Sequence, residues 1–194
     1  MAPAAARRGD GARPRRLRRV APPSQVTTTA AVRTGSHPPA ASGAGAATRG
    51  WQLALAGRLR PGYAPPWLVT LPPGVHWLGP LPAHALRALY AAAEIAVSAS
   101  EYEGFGLTVC EAMASGCAVV AVATSAVPEV VGDAGVLVAR SDPALLADAL
   151  ARLIAEPETR AALGAAARAR AARFTWEETA RQTRRVYEEV LGCA

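Results

Sequence analysis

From Trp51 onward, short and wholly apolar runs alternate with longer amphipathic stretches. Leu53–Ala56 and Val75–Leu78 read as buried strands, stopped by Gly57 and by Gly79-Pro80. Ile95–Ala99, Cys117–Ala123 and Val136–Val138 are three further runs without a polar face. Between them, residues 83–93 place Leu86, Leu89 and Tyr90 on one helical face. Leu107–Ser115 reads as a second helix, with Gly116 where a left-handed residue closes a helix. Pro61–Pro73 is a Pro-rich connection with room for one helical turn around Trp67-Leu68, and Pro128–Val131 makes another short turn. The remainder is helical. Ser141-Asp142-Pro143 offers a cap and then proline at the first helical position, opening a helix that runs to about Ala155. Pro157 separates it from a helix reaching Arg173, and Thr175-Trp176-Glu177-Glu178 is a capping box that opens a last helix ending near Leu191.

Strands with no polar face, alternating with helices, predict a mostly parallel sheet covered on both sides: a doubly wound α/β domain. In such sheets ligands bind where strands end and helices begin. Residues 1–50 show neither period. Pro22-Pro23 and Pro38-Pro39 interrupt anything that starts, so this stretch is predicted to be a disordered Arg/Ala/Pro-rich tail ahead of one domain at 51–194.

Composition refines this division. The 194 residues suit one domain plus a tail. With 51% apolar but only 5% aromatic residues, Ala, Val and Leu must build the core. Nine arginines against the single acid Asp10 give residues 1–50 a charge of +8, which leaves −2 of the chain's +6 for residues 51–194. All 21 basic residues are arginine, which with the abundant Ala, Gly and Pro reads as a GC-rich coding sequence rather than a nucleic-acid-binding tail. Cys110, Cys117 and Cys193 form no C-x-x-C pair and the three histidines are scattered, so no metal site is expected. Free thiols fit a reducing cytosol. No apolar run reaches the ~18 residues of a membrane span, and no apolar segment follows Arg7-Arg8 as a signal would require. A cytoplasmic protein is expected.

The chemistry concentrates in Ser100-Glu101-Tyr102-Glu103-Gly104-Phe105-Gly106-Leu107-Thr108-Val109-Cys110-Glu111, between a buried strand and a helix. Gly104 and Gly106 permit a tight turn and close approach of a ligand to the backbone. The amides of Gly106, Leu107 and Thr108 then leave the helix N-terminus as an anion site. Glu111 lies one turn in, on the face of Leu107, where a carboxylate can accept hydrogen bonds from a diol such as ribose. Glu103 stays in the loop. Taken alone, these residues equally describe an ordinary tight turn followed by a solvated glutamate.

The segment resembles the signature of the family-4 retaining glycosyltransferases: Glu, Gly-Phe-Gly, an apolar pair, then Glu-Ala-Met-Ala-x-Gly, with seven residues between Glu103 and Glu111. The likeness continues through Gly116–Ala121, Val127–Gly135 and Arg173–Trp176, and covers roughly Leu53–Leu191. It implies the C-terminal, donor-binding half of a GT-B fold, built of two facing Rossmann-like domains, and retaining transfer of a hexose-type sugar from a nucleotide-diphosphate donor without a metal or cofactor. It also implies roles. Glu111 holds the ribose hydroxyls. Gly104, Phe105, Gly106, Leu107 and Thr108 face the sugar and phosphates, Glu103 meets the donor sugar near the reacting centre, and the backbone at Pro80 and Leu81 meets the base.

The chain departs from that pattern in three respects. It holds no acceptor domain. No strand ending Gly-Arg and followed by Lys, the cations that hold the leaving diphosphate, is recognisable in residues 1–50; Arg58 follows Gly57 but matches a later strand in order. Ala99 replaces a customary proline. The expectation is a donor domain lacking its first strand, whose isolated chain binds nucleotide without transferring sugar. Two further readings remain, a non-catalytic nucleotide-sugar-binding module and a non-functional gene fragment. The base, the sugar and the acceptor are not legible.

Overall fold

The computed structural model describes residues 28–33, 50–59, 62 and 66–192. Six strands form one sheet: β1 (Thr28–Arg33), β2 (Trp51–Ala56), β3 (Val75–Gly79), β4 (Ile95–Ser98), β5 (Ala118–Val122) and β6 (Val136–Val138). Their order is β3-β2-β1-β4-β5-β6, the order of a doubly wound dinucleotide-binding sheet. The helices are α1 (Ala83–Ala92), α2 (Leu107–Ala114), α3 (Val127–Val131), α4 (Pro143–Ala155), α5 (Pro157–Ala171) and α6 (Trp176–Leu191), with a 3-10 turn at Pro66–Leu68.

The alternation of apolar runs and helices is therefore real, and its physical reason is visible in β5. All five of its residues are buried, because alternate side chains enter two different cores. Val119 and Ala121 pack with Val109, Met113, Val130 and Ala167 under α1, α2, α3 and α5. Ala118, Val120 and Val122 pack with Leu153 on the other face, with Leu145, Leu146 and Leu150 of α4 alongside.

One expectation is corrected. Residues 1–50 were expected to be unpacked throughout, yet Thr28–Arg33 is a strand at the centre of the sheet. It pairs antiparallel with β2 over six residues, from Thr28 opposite Ala56 to Arg33 opposite Trp51. It also pairs antiparallel with β4 at Thr29–Val97, Ala30–Ala96 and Ala31–Ile95. The other neighbouring pairs, β2·β3, β4·β5 and β5·β6, are parallel. Position 1 of the sheet is thus filled, but by a strand running against the other five. The expectation of disorder for residues 1–27 and 34–49 lies outside the described residues.

Helix ends follow their sequence signals. Asp142 Oδ1 accepts hydrogen bonds from the amides of Ala144 (2.9 Å) and Leu145 (3.4 Å). Thr175 Oγ1 accepts from the amide of Glu178 at 3.1 Å. The Glu178 carboxylate does not complete the box, because it binds Arg181 and Gln182. After α2, Gly116 (φ 86°) closes the helix with its amide donating to Met113 O at 2.9 Å and the Cys117 amide to Ala112 O at 3.1 Å, a Schellman motif.

Candidate nucleotide-sugar site

The loop of residues 99–106 leaves the C-terminal end of β4 and enters α2. Three neighbours hold it. Ser141 Oγ donates to Ala99 O at 3.1 Å, and Thr124 Oγ1 donates to Glu101 O at 2.7 Å. The Phe105 ring meets Phe174 edge to face, with centroids 5.6 Å apart. Ser125, beside the second anchor, holds a φ of 50° that a non-glycine residue adopts only under constraint.

Gly106 is the cap of α2 and needs its missing side chain. Its φ is 89°, in the left-handed region that residues with a Cβ rarely adopt. No side chain caps the helix, so the first-turn amides are left for solvent or a ligand. Thr108 Oγ1, in that same turn, is buried without a hydrogen-bond partner.

Of the residues singled out from sequence, Gly104, Phe105 and Leu107 are exposed, Glu103, Thr108 and Leu81 are half-buried, and Gly106 is buried. Glu111 projects from α2 into a groove of about 360 Å³ between α1 and α2, lined also by Ala83, Leu86, Arg87, Tyr90, Ala114 and Ser115. Glu103 is not among its walls; it stays in the preceding loop. Glu111 is itself exposed, and the desolvation it does undergo beside the groove raises its carboxyl above the ordinary glutamate value.

Sequence reasoning missed two groups of residues. Arg168 and Arg170 of α5 are tied to the helices that border the site: Arg168 donates to Ser115 O at 2.8 Å behind α2, and Arg170 donates to Val130 O at 2.7 Å and Glu129 O at 2.6 Å in α3. The signal for them was faint, since alanine-rich α5 shows its arginines at spacings that suit solvent equally well. Arg87 was missed too, although its position one turn after Ala83 places it on the stripe of Ala83, Leu86 and Tyr90. Among the described residues no group of three or more His, Cys, Asp or Glu could hold a metal ion. No described helix is long and apolar enough to cross a membrane.

Comparison with known proteins then decides the family. The profile of glycosyl transferases group 1 matches residues 68–170, more than half of the chain. The chain belongs to that family. A D-inositol 3-phosphate glycosyltransferase of Frankia alni is 43% identical over 122 residues, which make up 62% of this chain and 30% of the relative. An MMP alpha-(1->4)-mannosyltransferase of Mycolicibacterium hassiacum is 43% identical, with 61% and 30% covered. This group 1 glycosyltransferase chain thus spans about 30% of the length of the curated relatives it matches. Among solved structures, the sucrose-phosphate synthase of Thermosynechococcus elongatus superposes with a TM-score of 0.64 at 30% identity, covering 76% of this chain and 41% of that one. The Anabaena protein HepE in complex with UDP superposes with a TM-score of 0.52 at 26% identity, covering 62% and 33%.

Proposed function

We propose that the six-stranded sheet and its helices, from β1 through α6, are the donor-binding domain of a retaining glycosyltransferase, and that the donor is a nucleotide-diphosphate sugar. The observation that carries this reading is the geometry at α2. Uncapped amides and a buried, unpartnered Thr108 hydroxyl stand at the helix N-terminus, and a partly desolvated carboxylate stands one turn in. That order matches a diphosphate followed by a ribose. Membership in the family and the superposition on a UDP-bound structure support it.

In this reading the amides of Gly106, Leu107 and Thr108 receive the phosphates, Glu111 accepts from the ribose hydroxyls, and Gly104 and Phe105 shape the loop beside the sugar. Glu103 meets the sugar near the reacting centre, and Leu81 borders the base. The chemistry asks for no metal and no cofactor beyond the donor, and the protein works in the cytoplasm. Its acceptor is unassigned.

Equilibrium binding of UDP-, GDP- and ADP-sugars to the 194-residue chain tests the reading, with hydrolysis and transfer scored in parallel. At least one donor binds, and Glu111→Ala weakens it about tenfold, the scale of a lost hydrogen bond to a charged group. The chain alone transfers no sugar at a useful rate, because positioning of donor against acceptor supplies ~7–11 kcal/mol of such a barrier. Absence of binding for every donor, or indifference to Glu111→Ala, would refute the proposal.

A further inference from the structure

We propose that Thr124 is a positioning residue of the donor site: through the carbonyl of Glu101, its hydroxyl sets the path of the loop that brings Glu103 to the donor sugar. This rests on the donor-binding reading above and adds to it a residue that touches no part of the ligand.

The loop does not fix itself. Residues 100–105 make no backbone–backbone hydrogen bond, and Gly104 stands in open space, with no other group within 4 Å of where a Cβ would sit. Among the described residues two hydroxyls supply the loop's polar ties: Ser141 Oγ donates to Ala99 O at 3.1 Å, and Thr124 Oγ1 to Glu101 O at 2.7 Å. The first tie lies one residue past the end of β4, where pairing with β5 already determines the backbone. The second lies two residues before Glu103 and is the nearer constraint on that side chain. Beyond Glu103, the next hold on the loop is the ring contact of Phe105 with Phe174.

The anchor, by contrast, is fixed from its own side. Thr124 follows β5, whose five residues are all buried. The Ala123 amide donates to Val138 O at 2.8 Å, the Thr124 amide to Val122 O at 2.8 Å, and the Val127 amide to Thr124 O at 3.0 Å. These bonds hold Thr124 without help from the loop. The same turn keeps Ser125 at a φ of 50°, the one positive value at a non-glycine residue among the described residues. Such backbone persists only where its surroundings over-determine it. Thr124 thus passes the geometry of the sheet to a loop that has none of its own. A loop ordered before the ligand arrives spares binding that ordering cost.

The place of this bond decides what its loss does. Glu101 is exposed, so water takes the place of a deleted hydroxyl and the fold loses little. The phosphate amides belong to α2, whose first turn is set by the Cys110 amide donating to Gly106 O at 2.9 Å. They stay in place without Thr124. The loss therefore falls on the sugar, the part of the donor that meets the loop.

Calorimetric titration of the 194-residue chain tests this by comparing UDP-glucose with UDP, GDP-mannose with GDP, and ADP-glucose with ADP. Native, Thr124→Val, Thr124→Ser and Glu111→Ala chains are titrated, with the denaturant midpoint of each measured alongside. Valine keeps the branched shape and removes the hydroxyl, whereas serine keeps the hydroxyl. For the pair that the native chain binds, Thr124→Val loses about fivefold in affinity for the nucleotide-sugar, the scale of one hydrogen bond. It binds the sugar-free nucleotide as before and keeps its midpoint. Thr124→Ser matches the native chain in all three measurements, and Glu111→Ala weakens both ligands. Four results would overturn the role of Thr124 while leaving the donor site standing: no loss in Thr124→Val, an equal loss for both ligands, a lowered midpoint in that variant, or the same loss in Thr124→Ser. Indifference of both ligands to Glu111→Ala, or no binding by the native chain, would overturn the donor reading and Thr124's role with it.

Discussion

Glu111 carries opposite demands. It lines the groove, where the proposed binding role needs an ionised carboxylate to accept hydrogen bonds, while partial desolvation there disfavours that charge. The sign of the pH dependence follows. An acid whose folded pKa is raised holds its proton in the folded chain where the unfolded chain has lost it, so stability falls as pH rises from the ordinary glutamate value through the raised one. Ionised Glu111 is therefore a small cost to the fold at neutral pH, one that the proposed binding role would account for. Two outcomes are expected. Nucleotide affinity drops on acidification with a midpoint above the ordinary glutamate value, and Glu111→Gln flattens that profile while slightly raising the melting temperature at pH 7. Titrations across pH with parallel thermal melts check both. A flat profile in the native chain would separate Glu111 from binding. The residue types of Gly106 and Glu111 made the left-handed turn and the helical phase legible, whereas Glu103 falls outside the groove and the roles themselves were implied only by resemblance. Arg87 was not legible. A charged residue on an outward helical face reads as solvated until the neighbouring helix is seen to put a groove beside it.

At the scale of elements, α5 sets the position of α2. Gly164 lies so close to the turn after α2 that a Cβ there would sit too near the Gly116 carbonyl oxygen to be accommodated without backbone movement. Arg168 fastens the same turn through Ser115 O at 2.8 Å. At the far end of α5, the buried Arg160 donates to Glu94 Oε2 at 2.8 Å and Leu153 O at 2.6 Å, and its guanidinium lies 5.0 Å over the Trp51 ring. The helix is thus pinned to α2, β2 and the start of β4 together. Gly164→Ala should destabilise the chain by about 1–3 kcal/mol, as overpacking does, and should weaken nucleotide binding as α2 shifts. Denaturant midpoints and calorimetry on the same preparation measure the two effects. An unchanged midpoint would mean that α5 stands off from the turn. By contrast α6 has no buried residue, and Trp176 (75% exposed), Tyr187, Val190 and Leu191 (72%) lie open. Its helical spacing and the exposure of part of its apolar stripe were readable from the sequence; that none of its residues is buried among the described residues was not.

At the scale of the whole molecule, β1 decides how the two parts of the sheet meet. Strands β2 and β3 form one parallel pair, β4, β5 and β6 another parallel set, and β1 joins them. The sequence conceals this strand for a physical reason. Thr28–Arg33 is Thr-Thr-Ala-Ala-Val-Arg, too short and too poor in bulky residues to stand out beside β5, and its strand state is decided by the open edges of β2 and β4. Its direction has a chemical consequence. Arg33 pairs with Trp51 at the start of β2, so it lies at the edge opposite the loop of residues 99–106. It is not the arginine that would follow a parallel first strand to the phosphates. The joint also bears on the groove, since α1 follows β3 and α2 follows β4, so its two walls hang from the two parts that β1 connects. Ala30 is the test position, because it stands opposite both Ala54 and Ala96. A proline there removes an amide from a central ladder and adds a steric clash, for which ~3 kcal/mol or more is a reasonable scale. Ala30→Pro should therefore lower the denaturant midpoint strongly and weaken nucleotide binding, whereas Ala30→Val, which keeps the amide and suits a strand, should preserve both. Native stability and affinity in Ala30→Pro would show that β2 and β4 hold their places without the reversed strand between them.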